Sequence, residues 1–314
     1  MPQIDAKRTP DERFGELPDF PYEPSYVDDL PDYEGLRMAY IDEGPKDAPV
    51  FLCLHGEPSW SYLYRKMIPL FLEAGGRVIA PDLYGFGRSD KPVRQEDYSY
   101  SFHRDALLAL IERLDLRNIT LVCQDWGGVL GLTLPMEAPE RWQRLIVMNT
   151  SLPFEPESSV IAEDLARPAD ERKTGFGRWH AVSQRTDDMP VGAILNMGSG
   201  QKLSEAEIAA YDAPYPDKSY KAGAIVFPRL VPFSEDMDGY DIGRRAIAFW
   251  EEWEGESFMA IGGADPVLGK KAMMRLHGTI NGCPEPLVIE EAGHFVQEWG
   301  EEVARKALAS FAKP

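Results

Sequence analysis

Cysteine is almost missing from this 314-residue chain: Cys53, Cys123 and Cys283 are the whole supply, an odd number with no Cys-x-x-Cys spacing. Two of them lie inside apolar runs, where cysteine behaves as a small core residue. A disulfide framework is therefore not expected, and a reducing compartment, the cytoplasm, is. Histidine is nearly as scarce, with five copies and neither His-Glu-x-x-His nor any paired spacing, so no metal is expected. Basic residues are few: 33 Lys and Arg stand against 52 Asp and Glu, a net charge of −19 spread along the chain. Such a surface repels polyanions, which argues against nucleic acid or an anionic membrane as partner. Met1 to Leu17 alternates charge and proline, and offers neither a signal peptide nor a membrane span. Internal repeats and low-complexity stretches are also missing.

What is present is an ordinary globular balance, 44% hydrophobic and 27% charged, in a chain long enough to bury a large core. Residues 1–35 carry repeated prolines and aspartates and read as an extended arm. Short apolar runs then alternate with helical spacing. The runs are Val50–His55, Arg77–Pro81, Ile119–Gln124 and Arg144–Met148; Ser59–Leu72, His103–Leu114 and Gly127–Ala138 read as helices. Continuous apolar strands separated by helices imply an α/β fold, with a mostly parallel sheet covered on both faces. From Pro153 to Glu235 the strand signal vanishes and prolines and aromatics crowd in, as in an inserted helical cap. Alternation resumes with Ser257–Ile261, a helix over Lys270–His277, Pro286–Glu290 and an amphipathic helix ending near Ala312. The expected division is core 1–152, cap 153–235, core 236–314.

The chemistry concentrates where strands end. Cys123-Gln124-Asp125-Trp126-Gly127-Gly128 joins a strand to a helix, and small residues two positions either side of Asp125 suit a sharp turn with Asp125 at its apex. A carboxylate there is already ionised and can attack saturated carbon without a base, unlike serine. Asp before a helix is also a common N-cap, a purely structural use. His294 follows the last strand in Glu291-Ala292-Gly293-His294-Phe295, and Asp265 follows Ser257–Ile261 in Gly262-Gly263-Ala264-Asp265-Pro266. Nucleophile, acid and histidine in that chain order, each after a strand, form a triad pattern in which Asp265 orients His294. Leu54-His55-Gly56-Glu57-Pro58 sits where the backbone N–H of Glu57 can serve an oxyanion hole together with that of Trp126, and His55 reads as loop architecture. Two look-alikes fail on spacing. Gly85 to Ser89 has its serine out of place, and Gly263 to Lys271 lacks phosphate-loop spacing, so no nucleotide cofactor is expected.

With HGEPSW at 55–60, QDWGG at 124–128, GADPVLG at 263–269 and AGHFVQEWG at 292–300, the chain resembles the haloalkane dehalogenases of the α/β-hydrolase superfamily. The likeness runs from about Arg8 to the C-terminal helix and is nearest the subfamily active on small haloalkanes such as 1,2-dichloroethane. It implies hydrolysis of haloalkanes to alcohol, halide and proton through an ester on Asp125, with no cofactor. It also implies halide held by the indoles of Trp126 and Trp179 and a pocket walled by Phe176, Phe227, Pro228, Val267 and Leu268. A monomer is the working expectation, which no motif decides. In related subfamilies the acid follows the preceding strand; that place is Asn149 here, which favours Asp265 as the acid.

Two other readings share much of the pattern. An epoxide hydrolase would use the same Asp-His-Asp triad plus cap tyrosines to protonate the opening alkoxide, and Tyr211, Tyr215 and Tyr220 fall in the cap. A non-catalytic receptor could keep the fold and pocket alone.

Overall fold

The computed structural model describes residues 4–312. Among them run ten strands: β1 (Ala6–Lys7), β2 (Ser25–Val27), β3 (Met38–Glu43), β4 (Val50–Leu54), β5 (Arg77–Pro81), β6 (Lys91–Pro92), β7 (Ile119–Gln124), β8 (Trp142–Met148), β9 (Glu256–Gly262) and β10 (Leu287–Ile289). β1 and β6 form a small antiparallel ladder; the other eight make one sheet in the order β10-β9-β8-β7-β4-β5-β3-β2. From β5 to β10 the pairing is parallel, and the β2 and β3 end is antiparallel. Every residue of β4, β5 and β7 is buried, because helices cover both faces and leave no side for polar alternation.

The helices are α1 (Ile68–Glu73), α2 (Tyr100–Arg113), α3 (Trp126–Gly131), α4 (Glu157–Leu165), α5 (Gly175–Arg185), α6 (Val191–Gly198), α7 (Glu205–Asp212), α8 (Ala222–Leu230), α9 (Tyr240–Glu251), α10 (Lys270–His277) and α11 (Gly300–Phe311). Between leaving the sheet at Met148 and rejoining it at Glu256, the chain is helical from α4 to α9.

Two expected helices are shorter or divided. Ser59–Leu72 is a 3-10 turn over Ser61–Tyr64 followed by α1, and Gly127–Ala138 stops at Gly131. Pro135 explains the second: it has no N–H to give Gly131 and biases Leu134 away from helical backbone. β2 and β3 went unexpected. β2 lies inside the stretch read as an arm, and β3 mixes Asp and Glu into a short run at the antiparallel side, where the apolar signal is weaker.

The parallel register aligns the strand ends. Leu54 pairs with Cys123 and Gln124 with Met148, so β4, β7 and β8 end level, and β9 continues the row through Met148 and Ala260. Loops leaving these carboxyl ends converge on one rim of the sheet, the usual place for ligands in open α/β folds.

Candidate active site

Asp125 stands at the turn from β7 into α3 with φ 50° and ψ −127°, a conformation that costs a non-glycine residue on the order of 1–3 kcal/mol. The backbone around it is pinned. Its N–H donates to the Asn149 carbonyl at 2.9 Å, and its carbonyl accepts from the N–H groups of Gly128 and Val129 and from the Thr150 hydroxyl. Gly127 makes the turn possible, since a Cβ there would lie 1.9 Å from the Leu54 carbonyl oxygen on the neighbouring strand. Gly56 does the same from the opposite loop, where a Cβ would lie 2.3 Å from Asp125 Oδ1.

Although Asp125 occupies the N-cap position of α3, its side chain makes no capping bond. Instead Oδ1 accepts the Glu57 backbone N–H at 2.8 Å, and Oδ2 faces His294 Nε2 at 3.4 Å. Among the described residues the Trp126 N–H, the other expected donor, makes no such bond to the carboxylate in this geometry.

His294 follows β10 and the turn after it. Its Nδ1 lies 2.8 Å from Asp265 Oδ2, which also accepts from Asn149 Nδ2 at 2.9 Å, while Asp265 Oδ1 accepts the Val267 N–H at 2.8 Å. Burial would raise the Asp265 carboxyl, yet the facing His294 and these hydrogen bonds hold it down at about 2. Burial likewise disfavours a charged His294, but Asp265 and Asp125 outweigh it and raise the imidazole to about 10. Asn149, unable to be an anion, instead fastens β8 to β9 by bonding Gly262 on both its amide ends while holding Asp265.

Asp125 opens into a cavity of about 550 Å³ between sheet rim and cap. Trp126, Trp179, Phe176, Pro228, Val267 and Leu268 border it together with Glu57, Asp265 and His294. Phe227 does not. It is fully buried behind the site, its ring 4.6 Å from that of Trp126 and 4.7 Å from those of Phe86 and His103, so its neighbour Pro228 is the residue that meets the cavity. Trp126 is 2% exposed, and among the described residues its indole N–H has no protein acceptor.

Three features escaped the reading of the sequence. The Glu57 carboxyl, expected to matter only through its backbone, is buried on the cavity wall beside the Trp179 indole; burial, and Asp125 next to it, push it well above the usual carboxylate range. Gln124 reaches His294 from the end of β7. Leu152, Phe154, Ile161, Ile194 and Phe233 complete apolar walls that no motif marks.

Cap tyrosines do not border the cavity. Tyr211 is spent on Arg65 and Glu298, and Tyr220 stacks under Lys7; Tyr215 is buried near the Glu57 carboxyl without lining the cavity. Tyr100 does border it, with its hydroxyl donating to the Val129 carbonyl. His55 is architectural as expected, its Nε2 accepting the Leu83 N–H. Ser89 in the look-alike loop donates to the Asp82 carbonyl. The three cysteines are free, no helix among the described residues is long and apolar enough to cross a membrane, and no cluster of three metal-ligating side chains occurs among them.

The family model described as alpha/beta hydrolase fold matches residues 49–301. A haloalkane dehalogenase of Psychrobacter cryohalolentis is 45% identical over 97% of this chain and 97% of its own, and one of Mycolicibacterium paratuberculosis is 43% identical over 96% and 97%. Among solved structures, haloalkane dehalogenase DpaA from Paraglaciecola agarilytica NO2, described as tetrameric, is 54% identical with a TM-score of 0.90, covering 99% of this chain and 100% of that one. A carboxylate at a strand-to-helix turn, an imidazole and a second carboxylate behind it, and full-length likeness at this level lead to one statement: this chain belongs to the haloalkane dehalogenases, within the α/β-hydrolase family.

Proposed function

We propose that Asp125 Oδ2 displaces halide in line from an alkyl carbon, forming an alkyl ester on the enzyme, and that His294 with Asp265 then drives its hydrolysis. Oδ1 is occupied by the Glu57 N–H, which leaves Oδ2 as the attacking oxygen. The carbon–halogen electron pair departs with the halide, and the uncharged indole donors of Trp126 and Trp179 receive it without neutralising the nucleophile. Water then gives a proton to His294 Nε2 and its oxygen to the Asp125 carboxyl carbon. The Glu57 N–H steadies the resulting oxyanion, with that of Trp126 as second donor. Collapse releases the alcohol, whose oxygen takes the proton from His294, and restores the carboxylate once the oxygen-bound hydrogen is lost to solvent. Alcohol, halide and one proton leave.

The observation that carries this reading is the Asp125 carboxylate itself: held at one oxygen, bare at the other, and facing an imidazole that a second carboxylate backs. His294→Gln tests it. That variant should release about one equivalent of halide per chain and then stall, with the alkyl group added to the mass of the Asp125 peptide. A variant that neither releases halide nor carries an adduct would overturn the scheme.

The finer substrate reading shifts with the cavity. A four-heavy-atom haloalkane needs on the order of 100 Å³ at roughly 30 Å³ per water-sized atom, well under the space available. The proposed substrates are therefore chlorinated and brominated alkanes extending beyond 1,2-dichloroethane, and halide release across chains of two to eight carbons measures this. The epoxide reading lacks its proton donors, since the cap tyrosines lie off the cavity wall. For the assembly, the expected monomer stands against the tetrameric description of the Paraglaciecola relative, and light scattering separates the two masses.

A further inference from the structure

We propose that Gln124 is a positioning residue that keeps His294 in the one neutral tautomer able to accept a proton from water, with hydrogen on Nδ1 and a lone pair on Nε2. This rests on His294 being the base.

Gln124 ends β7 immediately before Asp125 and is fully buried. Its Nε2 lies 3.1 Å from the His294 carbonyl oxygen and 2.9 Å from His294 Nε2. A carbonyl oxygen only accepts, so the NH2 end of the amide must face His294. The opposite end agrees, because Gln124 Oε1 lies 3.4 Å from Gln297 Nε2, a donor. Turning the amide over would set two oxygens 3.1 Å apart and two donors against each other. With one amide hydrogen given to the carbonyl, the second falls at the imidazole, and His294 Nε2 must offer it a lone pair. The ring hydrogen then sits on Nδ1 and is donated to Asp265. The 3.4 Å gap between Nε2 and Asp125 fits this state, since a charge-assisted N–H to carboxylate bond closes to about 2.7–2.9 Å.

The arrangement answers a conflict built into the site. The titratable groups facing the imidazole are Asp265 from the turn after β9, Asp125 from the turn after β7 and Glu57 from the loop after β4. The two aspartates favour the imidazolium, which is no base. A donor bonded to the neutral ring favours the neutral ring. Ester formation removes the Asp125 charge, leaving Asp265 opposed by Gln124, so the base becomes available at the step that needs it. Water can take the Nε2 lone pair in that step, while the bond to the His294 carbonyl keeps the amide in place.

Gln124→Met keeps the length and removes the donor. In single-turnover work with 1-bromobutane, halide release should keep its wild-type rate. The acid limb of ester hydrolysis should move up by roughly one pH unit, the bias of one hydrogen bond, with the rate recovering at higher pH. A limb that stays in place while the rate falls equally at all pH overturns the proposal and leaves Gln124 as packing. The wild type offers a measurement independent of any variant's folding: nitrogen-15 spectra of His294 followed upward through pH 10, where the ring becomes neutral, should show the proton leaving Nε2 while hydrogen stays on Nδ1, and loss from Nδ1 instead overturns the proposal. Loss of the halide burst in His294→Gln would instead strike the ester mechanism beneath it.

Discussion

Trp179 brings to the cavity a hydrogen-bond donor with no charge and no acceptor, carried on α5 in a helix whose N-cap Thr174 accepts the Gly177 N–H. A hydrogen bond to an ion is worth about 1.5–3 kcal/mol, so Trp179→Phe should weaken chloride binding by roughly 10- to 100-fold. Quenching of tryptophan fluorescence by chloride reads this, and an unchanged affinity would remove Trp179 from the halide site. At this scale the sequence is informative where residue type selects chemistry. Asp125, His294 and Asp265 could be named because each sits just after an apolar strand and each type fits a role. Gln124 and the Glu57 carboxyl could not, because their partners, His294 and the Trp179 indole, lie about 170 and 120 positions away, and a side chain's direction is not written in its neighbours. Phe227 fails for the same reason: one residue along α8 separates the cavity wall from the core behind it.

Among elements, the cap is fastened to the core by a buried charge cluster. Arg65, in the turn region after β4, is fully buried and makes a two-pronged bond to Glu298, just beyond His294 in the chain, while reaching Glu207 on cap helix α7 at 2.6 Å. Glu207 also completes the capping box of α7 with Ser204. The same residues therefore start a cap helix and tie it to the segment holding His294. Removing one partner strands a buried charge, so Arg65→Met should destabilise the chain by about 3–5 kcal/mol, whereas Glu207→Gln, which leaves Arg65 its bonds to Glu298, should cost less, about 1–3 kcal/mol. Urea midpoints measure both; equal small losses would show that the cluster does not hold the cap. The parallel strands were legible because burial on both faces leaves an unbroken apolar run. The antiparallel end and the divided helix after β4 were not, since tertiary pairing and prolines decide them rather than periodicity.

For the whole molecule, acid should act in two opposite ways. At neutral pH the net charge of −19 makes the folded chain repel itself, and protonating surface carboxylates relieves this as pH falls toward the isoelectric point near 4.7. Against that stand carboxyls whose folded values are held low: Asp265 at about 2 by His294, and Glu207 at about 2 through the Ser204 N–H and hydroxyl and Arg65, each overcoming the cost of burial. A group depressed on folding stabilises the fold above its unfolded value near 4, and that contribution drains away as pH drops toward the folded value. For Asp265, two units at about 1.4 kcal/mol each give roughly 2–3 kcal/mol. His294, raised to about 10, adds stability below its unfolded value near 6.5 that fades only as pH climbs toward 10, so it does not alter the acid side. The melting temperature should therefore rise gently from pH 7 to about 5.5 and fall steeply below about pH 4. Asp265→Asn should flatten the steep part, because it removes the group whose protonation drives it. Calorimetry across pH 3–8 on both proteins decides the matter, and an acid slope unchanged in Asp265→Asn would mean that the pair with His294 contributes nothing to the fold's tolerance of acid.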